Sequence, residues 1–575
     1  MKRLTQVALV GVAVLVGASI AAAQQGLQPV VRLGNFIEVS NDVFMHILAA
    51  ADIRYQTVEN RDFDSNVRDR AHAREPGSAP TRESEGDIAQ AELRFGAEFR
   101  YQKNLTLYLL FEHQQIFDGN LIDDRSNSTN PGGTDVFGRP AVTENPGFHT
   151  ERYWIDYKFP GTPLRMRVGA DLWNVDQAGT VGDDDPRFAL FGEFGAIDVM
   201  AAAVIQFESQ RLGLENDNDS IYYTFSAGYN FQPHRVQLDV IYFRDRFSGA
   251  DMAPVAGGNR ATADVGFQGQ KHDSVVIGAS WSGRFGPVRA LVQGNINVGT
   301  AKGGYLNLPA GVAPGRDYDI FAAAAIAYAE ADLGRVRPFV GVVYGTGDGD
   351  PTDRKLHGYA VAPFRTNSQI FGTGWFNHLE TSTAFGARDA ACPARVGATP
   401  LQTGLTRSPL NVGTAALGST TGGVECAHSE SFPFNNRLGN TSHLGIETAL
   451  SNPGALVVPV GLRVFPFKGH EITGWYVYRG MVNTTLLEVA FAPDLAAVGR
   501  QTIRKTQYHG LGGFYQWTIN PYFDIRLAGE VLLPGEGYKD IAQVANCNFA
   551  PGGAFQSCDG NDPALRGEVR FRARF

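Results

Sequence analysis

Apolar and polar residues alternate one for one over segments of about ten residues in much of this chain. In residues 91–101 the odd positions read Ala, Leu, Phe, Ala, Phe and Tyr, and the even positions read Glu, Arg, Gly, Glu and Arg. Residues 163–173 and 565–575 repeat the pattern. Alternate side chains of a β-strand point to opposite faces, whereas a helical face needs spacings of three and four. The pattern therefore predicts strands with one apolar and one polar face.

The alternation, together with turn residues, predicts eighteen strands. They span residues 47–57, 88–101, 104–117, 149–159, 163–174, 186–195, 197–209, 219–231, 234–246, 270–284, 287–299, 317–332, 335–346, 455–467, 470–480, 503–518, 521–533 and 563–575. Short connections alternate with long polar insertions at 58–87, 118–148, 247–269, 347–454 and 534–562. A soluble sandwich has alternating strands but no reason to place its long loops on one side. An all-β, antiparallel transmembrane β-barrel with short periplasmic turns and long extracellular loops accounts for both features.

Residues 1–23 form a separate segment with the pattern of a secretory signal peptide. Lys2 and Arg3 precede an apolar run over 7–16, and three alanines follow at 21–23. An uncleaved membrane anchor is the alternative, but the run is short for a span of about 20 residues. We expect a signal peptide over 1–23, a short periplasmic segment over 24–46 and a barrel over 47–575 in the bacterial outer membrane.

The charge of the chain and its motifs exclude several classes of protein. The formal net charge is −9, and loss of Lys2 and Arg3 with the signal peptide would lower it to −11. An acidic chain is a poor candidate for binding nucleic acid. The G-x-S-x-G, P-loop and G-x-G-x-x-G motifs are absent. The sequence therefore predicts neither an enzyme nor a resident organic cofactor.

The polar faces of the predicted strands are rich in arginine. An eighteen-stranded barrel leaves an aqueous interior, so these side chains would line a pore. The predicted pore-lining basic residues are Arg94, Arg100, Arg152, Lys158, Arg165, Arg167, Arg463, Arg479, Arg526, Arg570, Arg572 and Arg574. Arginine-lined pores favour anions such as carboxylates and phosphates. Acidic residues alternate with the arginines, and a cross-strand network of ion pairs that stiffens the wall is the alternative.

Four cysteines lie outside the predicted strands. Cys392 and Cys426 lie in the 347–454 insertion, and Cys547 and Cys558 lie in the 534–562 insertion. An even number of cysteines in an exported chain predicts disulfides. Three pairings exist, and the local one, Cys392–Cys426 with Cys547–Cys558, is favoured.

An acidic stretch, YGTGDGDPTDRK at 344–355, begins the longest insertion. It places Asp348, Asp350 and Asp353 close together. Closely spaced oxygen donors can bind Ca²⁺, although the full twelve-residue calcium-binding pattern is absent. The three aspartates are therefore a candidate Ca²⁺ site, and solvated loop acids are the alternative.

The insertion over 347–454 is too long for a simple connection and is rich in Gly, Ser, Thr and Asn. A loop of this length can fold into the lumen as a constriction or cover the barrel from outside. We expect it to set the pore size more than the wall does.

The strand number, the alternation of loop lengths and the GTGDGDPTDRK stretch resemble the alginate-export family of outer-membrane porins. The local match runs from Gly347-Asp348 through Pro351 to Asp353. The resemblance implies an arginine-rich eighteen-stranded barrel that passes anionic solutes. The aromatic end of the last strand, Phe575, resembles the signal read by the outer-membrane barrel-assembly machinery. The implied partners are that machinery, outer-membrane lipid, lipopolysaccharide and small anionic solutes.

The sequence therefore predicts a passive outer-membrane channel for small, anionic, hydrophilic solutes. Two alternatives remain open. The barrel could be a scaffold whose loops plug the lumen, or it could be the barrel of a porin–cytochrome conduit, although the chain has no haem-attachment motif.

Overall fold

The structure of the chain is a computed structural model. It describes residues 37–40, 42–59, 86–116, 147–171, 175, 186–207, 220–245, 271–302, 318–347, 349–350, 355–357, 455–485, 488, 495–496, 498–544 and 561–574.

In the described ranges twenty strands form one sheet, and eighteen of them build a barrel. The barrel strands are β2 (Val43–Glu59), β3 (Gly86–Tyr101), β4 (Leu105–Ile116), β5 (Gly147–Lys158), β6 (Leu164–Ala170), β7 (Pro186–Phe194), β8 (Ile197–Phe207), β9 (Ser220–Phe231), β10 (His234–Asp245), β11 (Lys271–Phe285), β12 (Val288–Lys302), β13 (Tyr318–Ala331), β14 (Val336–Gly345), β16 (Ala455–Val464), β17 (His470–Met481), β18 (Thr506–Asn520), β19 (Phe523–Pro534) and β20 (Ala564–Arg574).

The sheet closes on itself. Each barrel strand pairs antiparallel with its neighbour in the chain, and β20 pairs with β2 from Leu565 opposite Glu59 to Arg574 opposite Ala50. Closure gives every strand a partner on both edges, which a bilayer requires because it contains no water to satisfy free backbone groups. The fold is thus the predicted eighteen-stranded antiparallel barrel.

Two short strands supplement the barrel. β1 (Ile37–Ser40) forms a hairpin with Val43–Met45 of β2, beyond the point where β20 ends. β15 (Lys355–Leu356) runs parallel to β13 at Asp319–Ile320. This part of β13 precedes the residues that pair with β14, which begin at Ala324. Neither was predicted, because each is too short to show alternation.

The two ends of the barrel differ in their connections. At one end, here called the short-turn end, the strands are joined by the connections 102–104, 159–163, 195–196, 232–233, 286–287, 332–335, 465–469 and 521–522. Gly195 and Gly286 take positive φ angles of 69° and 56° in two-residue turns, a conformation that favours glycine. The opposite end, here called the long-loop end, holds the longer connections and a helix, α1 (Glu536–Val544).

The predicted strands correspond one for one to the barrel strands, with two notable differences at their ends. β2 begins at Val43 rather than at residue 47, and with β1 it brings the sheet into the segment 24–46. β6 ends at Ala170 rather than at residue 174. Its Gly169 has φ +129°, and a Cβ there would lie 2.1 Å from the carbonyl oxygen of Tyr153. The positive φ of Gly169 departs from regular strand geometry, and β6 ends at the next residue.

The outer surface of the barrel is apolar. Large hydrophobic side chains at alternate positions are about half exposed, including Ile53, Phe95, Ile155, Ile277 and Leu511. The polar and charged residues of the same strands face inward, which reverses the arrangement of a soluble protein. A wall of this kind suits lipid outside and polar groups inside.

Aromatic side chains collect on the outer surface near both ends of the strands. At the short-turn end, His470 stacks on Trp517 with ring centroids 5.7 Å apart, and its Nδ1 lies 2.7 Å from the Tyr515 hydroxyl. At the long-loop end, the Tyr476 hydroxyl lies 2.7 Å from His509 Nδ1. Rings with a polar edge at both borders of an apolar band match the interfacial girdles of membrane barrels.

Candidate functional site

The inner wall of the barrel is the candidate functional site, and it holds the predicted basic residues. Arg94, Arg152, Arg463, Arg526 and Arg572 are buried against it, and Arg100, Arg165, Arg167, Arg479 and Arg570 are half-buried or exposed on the same face. Lys158 is exposed at the short-turn end of β5. Arg574 ends β20, and its side chain lies outside the described part of the chain.

Most of these arginines form ion pairs with inward-facing acids. Arg94 Nε donates to Glu112 Oε2 at 2.5 Å, and Arg572 Nε donates to Asp524 Oδ1 at 2.7 Å. Arg570 Nε donates to Asp52 Oδ1 at 2.8 Å across the β20–β2 seam. The ion-pair network considered as an alternative is therefore present, and the wall is not a row of free cations.

Several pairs nevertheless present mainly their cation to the lumen. The Arg100 side chain is 38% exposed, whereas that of its partner Glu98 is 2% exposed. The side chains of Arg289 and Glu330 are 46% and 2% exposed, and those of Arg165 and Asp156 are 35% and 11% exposed. In these pairs the carboxylate lies behind the guanidinium, so a solute in the lumen would meet the positive partner first.

Other pairs do not share this asymmetry. Arg235 and Asp198 are exposed to similar extents, and so are Arg337 and Asp332. Arg235 is fully engaged, because it donates to Asp198, Asn230 and Gln237. These pairs present no excess of either sign.

Among the described residues, sequence reasoning missed five inward arginines. They are Arg187, Arg235, Arg284, Arg289 and Arg337. The signal was available, since each lies on the polar parity of its strand, but four of them stand within two residues of a short turn. The alternation is hardest to read at strand ends.

A recess in the inner wall lies at the short-turn end of β3 to β6. Its volume is about 410 Å³, and it is lined by Glu98, Arg100, Gln102, Lys103, Leu105, Thr106, Trp154, Asp156, Arg165 and Arg167. A second recess of about 510 Å³ lies beside it along β7 to β10 and shares Arg165. The first is called the β3–β6 recess below.

Aromatic rings support the arginines of the β3–β6 recess. Arg167 lies 4.0 Å over the ring of Trp154, which stacks in parallel on Tyr108 at 5.0 Å. Arg165 lies 4.3 Å over Phe191 on β7. Both guanidiniums also donate to Asp156 Oδ2, Arg165 from Nη1 at 3.0 Å and Arg167 from Nε at 2.9 Å. The two cations are therefore held by a shared acid and by separate rings.

A segment from the long-loop end reaches the inner wall. Val175, in the connection between β6 and β7, is buried among Ile241, Phe243 and other inward residues. Its carbonyl oxygen accepts a hydrogen bond from Gln237 Nε2 at 2.8 Å. The connection therefore extends well into the lumen at this residue, which sequence reasoning did not anticipate.

The helix α1 packs at the long-loop end of β18 and is fixed by one buried acid. Asp540 accepts hydrogen bonds from Arg500 Nη1, from Arg504 Nη2 at 2.6 Å and from the Arg504 backbone nitrogen at 2.9 Å. The side-chain hydrogen bond to Asp540 raises the pKa of Arg504. The set of contacts around Asp540 is called the Asp540 clamp below.

Other predicted site residues fall largely outside the described residues. Cys392, Cys426, Cys547 and Cys558 do so, as do Asp348, Asp353 and nearly all of the 347–454 insertion. Asp350 is exposed. In the described ranges no three His, Cys, Asp or Glu side chains converge as metal ligands would. The disulfides and the Ca²⁺ site remain predictions.

Within the described residues, no helix is both long enough and apolar enough to cross a membrane.

Comparisons with known proteins find similarity only among solved structures. No protein-family model matches the chain, and no similar sequence is found among curated proteins. Acinetobacter baumannii OccAB2 is 9% identical with a TM-score of 0.43, covering 94% of this chain and 99% of that one. Pseudomonas putida OprB is 9% identical with a TM-score of 0.41, covering 92% and 94%.

A BenF-like porin from Pseudomonas fluorescens is also 9% identical, with a TM-score of 0.42, covering 92% of this chain and 99% of that chain. Because all three TM-scores lie below 0.5, the likeness adds nothing to what the strand pairing of this chain establishes.

Proposed function

We propose that the protein is an outer-membrane channel for passive diffusion of small hydrophilic solutes, with a preference for anions. The closed eighteen-stranded wall, apolar outside and polar inside, supports a water-filled path across a bilayer. The apolar face and its two aromatic belts support the outer-membrane location.

The observation that carries the anion preference is the unequal exposure within the lumen ion pairs. Arg100, Arg165 and Arg289 are each more than a third exposed, and their partner carboxylates are nearly covered. Coulomb interactions weaken with distance and with intervening water. A permeating ion therefore feels the exposed guanidinium more strongly than the acid behind it.

The plugged scaffold is the second candidate, and one observation favours it. Several inward side chains, such as Arg94, Glu98 and Glu112, are almost completely covered, and Val175 lies against the wall. The open channel and the plugged scaffold share the same fold. They differ only in whether the lumen conducts ions.

Single-channel recording of the refolded protein in a planar bilayer separates the two. An open pore whose reversal potential in a KCl gradient favours chloride is the expected result. A conducting pore that favours potassium would contradict the anion preference. Absence of current from correctly folded protein would favour the plugged scaffold, and haem co-purifying from native membranes would favour the porin–cytochrome conduit.

The proposal extends to the chemical class of the solute. The resemblance to alginate-export porins makes uronates and other carboxylates the first class to test. Reversal potentials with uronate as the only anion would measure their permeation directly.

A further inference from the structure

The β3–β6 recess has more cations than acids. Four of its lining residues are basic, namely Arg100, Lys103, Arg165 and Arg167, and two are acidic, Glu98 and Asp156. Arg167 also pairs with Asp171, which in turn accepts from Arg187. Counting that further acid and that further base leaves the excess at two positive charges. The neighbouring recess, by contrast, is lined by two arginines and two acids, Arg165 and Arg235 with Glu193 and Asp198.

Arg165 has the most unused hydrogen-bonding capacity in this recess. A guanidinium has five N–H donors, and Arg165 uses one of them on Asp156 Oδ2. Nothing else in the described part of the chain accepts a hydrogen bond from it. Arg167 is more engaged, because it donates to both Asp156 and Asp171 and is only 17% exposed.

The aromatic contacts orient these arginines for an external acceptor. Arg165 lies with its guanidinium over Phe191, and Arg167 lies over Trp154. Stacking occupies the flat face of a guanidinium and leaves its N–H groups in the plane, where they match the two oxygens of a carboxylate or phosphate. Little side-chain entropy remains to be lost on binding, since the rings and Asp156 already fix both groups.

We propose that the β3–β6 recess is a binding site for the carboxylate or phosphate group of a solute and that Arg165 is its principal ligand. The site lies at the short-turn end of the lumen, where a permeating anion would stop before leaving or after entering. Lys103, exposed in the turn after β3, adds attraction at the edge of the recess. This inference deepens the proposed channel function but does not require an open pore.

The test is calorimetric titration of the refolded protein in detergent, with citrate in one series and pyrophosphate in the other. The expected result is saturable binding of at least one anion. Arg165→Gln should weaken that binding about tenfold, because a charge-assisted hydrogen bond and a local charge are lost. Comparison of the two series shows whether carboxylate or phosphate is preferred.

Arg337→Gln is the matched control. Arg337 is also a lumen arginine, 34% exposed, that lies 4.7 Å over an aromatic ring, Phe465, and donates to one acid, Asp332, at 3.3 Å, but it does not line the recess. Its loss should change the affinity less than twofold. An equal loss in both variants would overturn the site, because it would mean that only the general charge of the lumen attracts anions. Absence of binding by both anions would also overturn it.

The outcomes separate this site from the channel. Protein that conducts in bilayers but binds neither anion disproves the site and leaves the channel intact. Protein that binds citrate or pyrophosphate through Arg165 but carries no current disproves the channel and leaves the site intact.

Discussion

The β3–β4 hairpin contains two ion pairs of the same chemistry in two different settings. Arg94 and Glu112 pair in the middle of the wall, and their side chains are 5% and 1% exposed. Arg100 and Glu98 pair six residues nearer the turn, where the arginine is 38% exposed. The middle pair is sealed within the wall, whereas the pair near the turn presents a cation to the lumen.

The difference indicates that position along the strand, more than residue type, decides what a lumen arginine does. A covered pair has lost its hydration, so it supports stability chiefly because neither buried charge is left without its partner. A half-exposed pair contributes little to stability but sets the local field. The arginines of this wall should therefore divide into two groups with separable effects, one on folding and one on solutes.

The largest expected effect comes from breaking the covered pair. Glu112→Gln should destabilise the barrel by about 3–5 kcal/mol, because Arg94 then stays buried without its main counter-charge. Urea titration of protein refolded in lipid vesicles measures this free energy of unfolding. The double variant Arg94→Met/Glu112→Leu should recover most of the loss, and a double variant as unstable as the single one would contradict the desolvation argument.

A smaller effect is expected at the long-loop end, at the Asp540 clamp. Asp540→Asn should cost about 2 kcal/mol of local stability, since Asp540 is fully buried and serves both Arg500 and Arg504. The rate of limited proteolysis within 498–544 reports this local opening. Glu536→Gln is the control, because Glu536 pairs with Arg504 at the surface and should change the rate little. Equal rates in the two variants would show that burial does not matter there.

The lumen arginines with exposed side chains should affect ion selectivity and have little effect on folding. The triple variant Arg100→Gln/Arg165→Gln/Arg289→Gln should shift the reversal potential in a KCl gradient toward potassium. The double variant Arg94→Met/Glu112→Leu should leave the reversal potential unchanged, because it removes one charge of each sign from a covered position. A comparable shift in both variants would mean that exposure does not separate the two groups.

The smallest effect is expected from the ring beneath Arg165. Phe191→Leu should weaken oxyanion binding about two- to fivefold, since the stacked ring is worth about 0.5–1 kcal/mol at a partly exposed site. Calorimetry with the anion that binds more tightly is the measurement. Phe188→Leu on the outer face of the same strand is the control. A loss as large in that control would point to a general disturbance of β7.

Much of the barrel could be predicted because its determinants are local. Alternation assigns each side chain to a face, and the short turn after Tyr101 sets the register that puts Arg94 opposite Glu112. Contacts between distant segments could not be predicted in this way. Glu330 is shared by Arg289 and Arg463, and no local pattern relates positions so far apart.

The same reason explains what was missed at the long-loop end. Val175 reaches Gln237, and Asp540 reaches Arg500, by contacts that no alternation encodes. The candidate site was predicted in part. Arg100, Arg165 and Arg167 were assigned to the lumen, but the excess of charge in one recess depends on three strand pairings at once. The resemblance to alginate-export porins remains a prediction.

The pairing of β2 with β20 has a consequence for the biogenesis of the protein. Asp52 and Arg570 are 518 residues apart in the chain, yet they meet across the seam. Contacts of such separation are slow to form because a very long loop must close first. Until β20 has been synthesised and delivered, β2 has an open edge that can pair with other chains. We therefore expect nascent chains to depend on holdase chaperones during their transit to the membrane.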